Sequence, residues 1–255
     1  MPERFPRSRR PRADPALIAA LRARIRRIEG FAAGDGARPL PLGDAIDGAL
    51  PWGGLPRAAL HEVTGDAAAG FCATLAARLA GERGTVLWCR RGPGLYGPGL
   101  AGLGLALERL ILVRARRTVE VLWAMEEGLR SGAPAAVVGE AEGVSAVAAR
   151  RLKLAAEAGG VAGLVLGPER AMAAALPATT RWRVTPAPGA DAFGGLGAPR
   201  WRVELLRCRG GRSASWLVEW NHDAAGGFRV VAHLRHGPDG ASARPSATVA
   251  DRLAG

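Results

Sequence analysis

Lysine is nearly missing from this sequence: Lys153 is the one lysine among 35 basic side chains. A GC-rich coding sequence explains arginine in place of lysine, but it does not explain why acids number only 23 against those 35. Cysteine is scarce too, since Cys72, Cys89 and Cys208 are far apart, odd in number and set in apolar runs. That excludes a disulfide or zinc framework and reads as small buried hydrophobes in a reducing compartment. His61, His222, His233 and His236 make no metal-ligand spacing with cysteine or acids, so no metal is expected and each is read as structural or solvated. There is no Gly-x-Ser-x-Gly elbow and no Cys/His pairing, which leaves a hydrolase nothing to build on. Nor is there a stretch of about 18 uninterrupted apolar residues, or any apolar run behind the arginine-rich N-terminus. A membrane partner, a span and a signal peptide are therefore not expected, and the chain reads as cytoplasmic.

What is present is a chain of 255 residues, long enough to bury one sizeable core without staples. Its net charge of +12 is uneven: residues 1–30 carry +6, residues 31–199 carry +2 and residues 200–255 carry +4. Basic ends on a nearly neutral centre suggest contact with a polyanion, most plainly nucleic acid, against the alternative of a plain solvated basic surface.

Residues 1–13 are an arginine- and proline-rich arm that cannot pack, read as disordered. Asp14-Pro15 then opens a helix over 14–30, whose apolar residues Leu17, Ile18, Leu21, Ile25 and Ile28 follow helical spacing beside a basic face. Such a helix docks on the chain's own core or, as a candidate partner-binding helix, on another protein or subunit through Leu17, Leu21, Ile25 and Ile28. Residues 31–57 read as a glycine- and proline-rich linker. From 58 to 236 the pattern predicts one α/β core. Short apolar runs at 58–64, 85–89, 109–113, 135–139 and 161–166 alternate with helical stretches near 67–81, 117–131 and 144–158, and 92–104 forms a loop leading into a short helix. Crossovers of that length suit parallel strands. After residue 180 the strands at 181–185, 200–208, 214–221 and 228–235 follow one another without helices, which predicts an antiparallel extension of the sheet. Arg209-Gly210-Gly211-Arg212 is a hairpin turn, and Arg-Trp-Arg-Val occurs at 181–184 and again at 200–203. Trp182 and Trp201 then point one way and Arg181, Arg183, Arg200 and Arg202 the other, either into water or towards DNA. Residues 237–255 lack periodicity and read as a flexible tail.

One turn resembles a phosphate loop. Such a loop needs glycines whose neighbouring backbone N–H groups wrap phosphate, a lysine for the β/γ-phosphates and a hydroxyl for Mg²⁺, between a strand and a helix. Here Gly65-Asp66-Ala67-Ala68-Ala69-Gly70-Phe71-Cys72 keeps the glycine spacing, which implies a retained loop shape, but has Phe71 for the lysine and Cys72 for the hydroxyl. Asp66 adds negative charge where phosphate would lie. The strand ending Val137-Val138-Gly139 offers glycine where a Mg²⁺-linked Asp belongs, with Glu140 one residue late and so on the other side of the pleat. After strand 85–89, arginines Arg90 and Arg91 stand where a water-activating Glu is wanted. These coincident losses point to a decayed ATPase site with no catalytic residue and no cofactor.

Several strings are more specific. They are Leu50-Pro51-Trp52-Gly53-Gly54-Leu55-Pro56, Ala59-Leu60-His61-Glu62, Val86-Leu87-Trp88-Cys89, Leu95-Tyr96-Gly97-Pro98-Gly99-Leu100 and Leu122-Trp123-Ala124-Met125-Glu126-Glu127. The most telling runs from Gly195 through Ala198-Pro199-Arg200-Trp201-Arg202-Val203-Glu204 to Arg212, followed by Ser215-Trp216-Leu217-Val218-Glu219-Trp220. On these the chain, from about Leu50 to Leu234, resembles the bacterial RecA superfamily and more closely the ImuA family, the RecA-like accessory proteins of the SOS translesion mutasome. The resemblance implies a RecA-like core with a mostly parallel central sheet flanked by helices and an antiparallel C-terminal extension. It implies a non-catalytic adaptor in damage-induced, error-prone translesion synthesis, nucleoid-associated after DNA damage. The implied partners are ImuB, an inactive Y-family polymerase relative, with an error-prone C-family polymerase, RecA and DNA as further candidates. In RecA the segments after the fourth and fifth core strands carry DNA-binding loops. The matching stretches here, 140–145 and 167–180, offer Arg170 as the one obvious phosphate contact.

Further candidate DNA-facing groups are Arg114, Arg116 and Arg117, and Arg150, Arg151 and Lys153, each also readable as a solvated helix face. Two alternatives stay open: a noncanonical nucleotidase using Arg90 or Arg91 for the missing lysine, and a SulA-like inhibitor of cell division on the same degraded core.

Overall fold

The computed structural model describes residues 38–168, 177–189, 198–221 and 227–234. The chain divides into two compact units, residues 1–38 and 39–255, and the first lies outside the described residues except for Arg38. The arm 1–13, the helix 14–30 with Leu17, Leu21, Ile25 and Ile28, Arg170 and the tail 237–255 also fall outside them.

Alternation of apolar residues along short strands builds a mixed nine-stranded sheet in the second unit. In chain order the strands are β1 (Leu60–Thr64), β2 (Val86–Arg91), β3 (Leu110–Ala115), β4 (Ala136–Glu140), β5 (Ala162–Gly167), β6 (Thr180–Ala187), β7 (Arg200–Cys208), β8 (Ala214–Trp220) and β9 (Phe228–Leu234). The helices are α1 (Asp44–Asp47), α2 (Ala68–Ala80), α3 (Gly97–Gly102), α4 (Thr118–Ser131) and α5 (Ala146–Gly159). The strand order is β3-β2-β4-β5-β1-β6-β7-β8-β9. From β3 to β6 every pairing is parallel, and from β6 to β9 every pairing is antiparallel. Helices separate β1 to β5, whereas a short turn joins β7 to β8, and that difference in connection goes with the pairing sense.

The pleat sorts the core into two layers. Val63, Trp88, Val138, Leu164 and Trp182 face α2, whereas Leu60, Val137 and Val165 face α4 and α5 with Val121, Met125, Leu129 and Leu152. All five residues of β1 are buried because strands lie on both sides of it and helices over both faces. The antiparallel half has one covered face, where Trp182, Trp201 and Phe228 gather on Phe71 and Trp216 packs on Trp182, and one face of alternating charge. At the hairpin Gly210 takes φ +74°, and Gly211 N donates to Cys208 O at 3.2 Å.

The expected linker is corrected over its described part. Leu40, Leu42, Ile46, Leu50 and Leu55 are buried in the α2 layer, and Leu40 and Leu55 exchange backbone hydrogen bonds at 2.8 Å. Five buried leucine and isoleucine side chains stabilise this segment by on the order of 1.5–3 kcal/mol each, far more than a free linker would gain. The glycines and prolines here shape turns over a core rather than a flexible tether.

Candidate functional site

Parallel strands β1, β2, β4 and β5 end together, and loops beyond their C-terminal ends line a cleft of about 570 Å³. A ligand site belongs there in an open α/β sheet. Gly65, Asp66, Ala68 and Ala69 form one wall, Arg90, Arg91, Gly94 and Leu95 a second, and Glu140 and Glu142 with the end of β5 the third.

The phosphate-loop shape expected from the glycine spacing is not what forms. Helix α2 begins at Ala68, so only Asp66 and Ala67 separate it from Gly65, and Gly70 lies inside its first turn. Ala67 N donates to Val184 O at 3.1 Å, Ala68 N to Gly65 O at 3.0 Å and Phe71 N to Ala67 O at 3.1 Å. These backbone donors bond within the chain instead of facing the cleft. Gly65 has φ +99°, and a Cβ there would collide with Val184 O of β6. Gly70 leaves room for the ring of Trp201, whose nearest atom would stand 3.3 Å from an added Cβ.

Phe71 is fully buried, stacked on Phe228 with ring centroids 5.4 Å apart and tilted against Trp182 at 5.9 Å. Its side chain belongs to the aromatic core and not to the cleft. Cys72 is likewise fully buried, and burial, followed by the nearby Glu140 carboxylate, pushes its thiol well above the ordinary cysteine range. Burial also pushes Cys89 up to about 12 and Cys208 up to about 11, and all three cysteines are free.

The end of β4 also departs from the sequence reading. Gly139 faces the α4 layer, where an added Cβ would run into Met125, and Glu140 points the other way, into the cleft. Glu140 accepts from Trp88 Nε1 at 2.9 Å and pairs with Arg90 at 3.2 Å. Trp88 lies in the α2 layer, so the acid that seemed displaced is the one on the cleft side, and it is occupied by an indole and a guanidinium. Arg90 is mostly buried in this pair, with Nε lacking a hydrogen-bond partner, while Arg91 is exposed at the rim. Sequence reasoning missed the Trp88–Glu140–Arg90 chain, because its members converge only when β2 and β4 pair with Trp88 opposite Val138.

The other candidate cations form two further groups. Arg181 and Arg200, expected to face DNA or water, are instead largely buried in ion pairs, with Glu62 at 2.6 Å and with Glu219 at 2.7 Å. Arg183 and Arg202 share Glu204 at 3.5 and 3.8 Å, and Glu219 also holds Arg229 at 2.5 Å. The side-chain bonds from Arg229 and Arg200 hold the Glu219 carboxyl below its usual range. Trp182 and Trp201 point inward, so the residues of the repeated motif split across the pleat. On the α4–α5 side, Glu120 closes the first turn of α4, accepting from Arg116 N at 2.9 Å and from Arg117 Nε at 2.8 Å, while Arg151 binds Glu126 at 2.6 Å and Lys153 meets Glu157 at 3.7 Å. Arg114 sits on the edge strand β3, and Arg116 and Arg150 are exposed. Of the described candidate cations, Arg90, Arg117, Arg151, Lys153, Arg181, Arg183, Arg200 and Arg202 are thus paired with acids of the chain.

Among the described residues, no three His, Cys, Asp or Glu converge as metal ligands, and no helix is long and apolar enough to cross a membrane. No family model matches the chain. It is 41% identical over 212 residues to Protein ImuA from two strains of Caulobacter vibrioides, NA1000/CB15N and ATCC 19089/CIP 103742/CB 15, an overlap covering 74% of this chain and 87% of each relative. Among solved structures, SulA from Pseudomonas aeruginosa aligns with a TM-score of 0.38 at 26% identity, over 43% of this chain and 97% of that one.

Proposed function

The chain belongs to the ImuA family, and from that premise we propose that it is a non-catalytic adaptor of damage-induced, error-prone DNA synthesis, working through protein contacts and not through nucleotide turnover. On this reading the ImuB-like polymerase relative is its direct partner, the error-prone C-family polymerase joins through that partner, and RecA and DNA are further contacts. The observation that carries the proposal is the buried Phe71 at the place of a phosphate-binding lysine. Around it, Ala67, Ala68 and Phe71 at the start of α2 spend their backbone N–H groups within the chain. A triphosphate brought there would meet Asp66, Glu140 and Glu142 against Arg91 at the rim, with Arg90 already engaged by Glu140. Electrostatics and geometry thus both disfavour phosphate in this cleft. The degenerate phosphate loop is read as a structural turn that sets α2 against the sheet.

Arg90 as a substitute for the lysine, the noncanonical nucleotidase reading, has less support, since breaking its pair would leave Glu140 without its charge partner.

Thermal melting with and without millimolar Mg-ATP tests the first half of the reading. A ligand that binds only the folded chain raises the melting temperature by linkage, so an unchanged midpoint is expected and a saturable upward shift overturns it. Co-purification with the ImuB-like protein of the same genome tests the second half: retention is expected, and loss of retention under mild salt removes the adaptor role.

A further inference from the structure

Strand β3 forms one edge of the sheet, and among the described residues no strand pairs along its outer side. In a parallel strand alternate residues turn both N–H and C=O to the same side, so the free side of β3 is an open ladder. Natural edges are guarded by charge, proline, a bulge or a covering segment. The opposite edge, β9, has such guards: Arg229 and His233 stand exposed along it, and its pairing with β8 is irregular between Leu217 and Val218. Along Leu110-Ile111-Leu112-Val113, β3 has neither charge nor proline, and its register with β2 is continuous over all six residues of the strand. Ile111 is 53% exposed and Leu112 42% exposed. The pleat puts them on opposite faces, Leu112 with Leu110 on the α2 side and Ile111 with Val113 on the α4 side.

We propose that β3 pairs with β3 of a second copy of this chain, antiparallel about a two-fold axis through Ile111, and so joins two sheets into one. The occupant is read from Glu108-Arg109-Leu110-Ile111-Leu112-Val113-Arg114, whose alternate residues Glu108, Leu110, Leu112 and Arg114 are self-complementary about Ile111. A two-fold axis perpendicular to the sheet keeps each face on its own side, so directly opposite residues share a face. Registers centred on a residue meet that condition, and registers centred between two residues do not. With the axis at Ile111, Leu110 of each copy meets Leu112 of the other on the α2 side, and the two Ile111 side chains meet on the α4 side. Glu108, in the 3-10 turn Leu107–Arg109 that leads into the strand, comes opposite Arg114 at both ends of the pair. Glu108 and Arg114 are both exposed, and among the described residues neither is held in an ion pair of its own chain. Moving the axis to Leu112 sets Arg114 against Leu110, and moving it to Leu110 sets Glu108 against Leu112, so the match belongs to one register. A strand from a different protein needs no such symmetry in β3, and this is why a second copy is the partner that fits. The contact is separate from the adaptor role and leaves it neither stronger nor weaker.

Sedimentation of the full chain over a concentration series tests the proposal. The natural chain is expected to show a monomer–dimer equilibrium. Ile111→Lys, which sets two like charges on the axis, should weaken it about tenfold or more. Glu108→Arg and Arg114→Glu each place like charges at both ends and should weaken it to a similar degree. An equimolar mixture of those two variants restores an opposite pair at each end, so it should recover a mixed dimer of nearly natural strength, and the Glu108→Arg/Arg114→Glu double variant should recover its own. All these positions are exposed, and melting curves unchanged at low protein concentration show that the variants fold. A natural chain that is monomeric throughout overturns the proposal; if Ile111→Lys then also loses the ImuB-like partner, the edge belongs to that protein instead. A dimer indifferent to Ile111→Lys places the contact elsewhere and overturns it equally. Failure of the mixture to recover what each charge variant has lost overturns the two-fold register.

Discussion

His61 shows most directly how one residue reports on this fold. Its ring is fully buried between β1 and β6, with Nε2 2.9 Å from Pro56 O and Nδ1 2.7 Å from Thr180 Oγ1. A carbonyl can only accept, so Nε2 carries the proton and the Thr180 hydroxyl donates to Nδ1, while Trp182 Nε1 donates to the same hydroxyl at 2.7 Å. Burial lowers the imidazole to about 4, against 6.5 in the unfolded chain. The folded form therefore holds the neutral ring. Its contribution is fully present above pH 6.5 and is lost as pH falls from there through about 4, amounting to roughly 3 kcal/mol. Urea unfolding at stepped pH should show the natural chain losing that much more stability than His61→Gln over this window; parallel curves for the two proteins would sink the assignment. Gly139 makes a second prediction at this scale. Restoring an acid with Gly139→Asp should not create a metal site, because the side chain would enter the Met125 layer. It should cost about 3 kcal/mol or more in urea unfolding, with no stabilisation by millimolar Mg²⁺.

Among the elements, β1 and β6 are parallel neighbours whose register places Glu62 opposite Arg181, and both side chains are largely buried. Burying a lone charge costs more than burying a pair, so Glu62→Leu should destabilise the protein by about 3 kcal/mol or more. Adding Arg181→Met should recover much of that loss, and a double-mutant cycle in chemical denaturation measures the coupling. Strictly additive changes would show that the two strands are held by other contacts. The elements themselves were largely legible in the sequence, since alternation with period two and stretches with helical period mark β1 to β9 and α2, α4 and α5 to within a few residues. What was not legible was the burial of 38–57. Its leucines are too few and too irregular to show a period, and they pack through turns. The start of α2 was equally hidden. Glycine spacing suggests a phosphate loop, but alanines at 67–69 favour helix, and the contact of Ala67 with Val184 lets the helix begin early.

For the whole molecule, the distribution of charge matters more than its total of +12. Most of the excess lies in residues 1–30 and 200–255, whereas the arginines of the antiparallel face are tied to Glu62, Glu204 and Glu219. Any affinity for DNA should therefore come largely from the N-terminal segment and fall steeply with salt. Deleting residues 1–30 is expected to flatten most of the slope of log affinity against log salt in a fluorescence-anisotropy titration, and Arg183→Ala with Arg202→Ala to change it little. A slope unaffected by the deletion would return the DNA-facing role to the sheet.

The sequence by itself determined the α/β class, the change from parallel to antiparallel pairing after residue 180 and the family, because these rest on local periodicity, connection length and contiguous strings. Only the tertiary structure decided which side chains meet. It put Phe71 in an aromatic core, turned Glu140 rather than Gly139 into the cleft, engaged Arg181 with buried Glu62 and Arg200 with Glu219, and left Trp123 exposed on α4. Each of these depends on the register between strands distant in sequence and on the pleat that assigns each residue a side. A local pattern gives the parity of the pleat, but the partner across it comes only with the packed sheet.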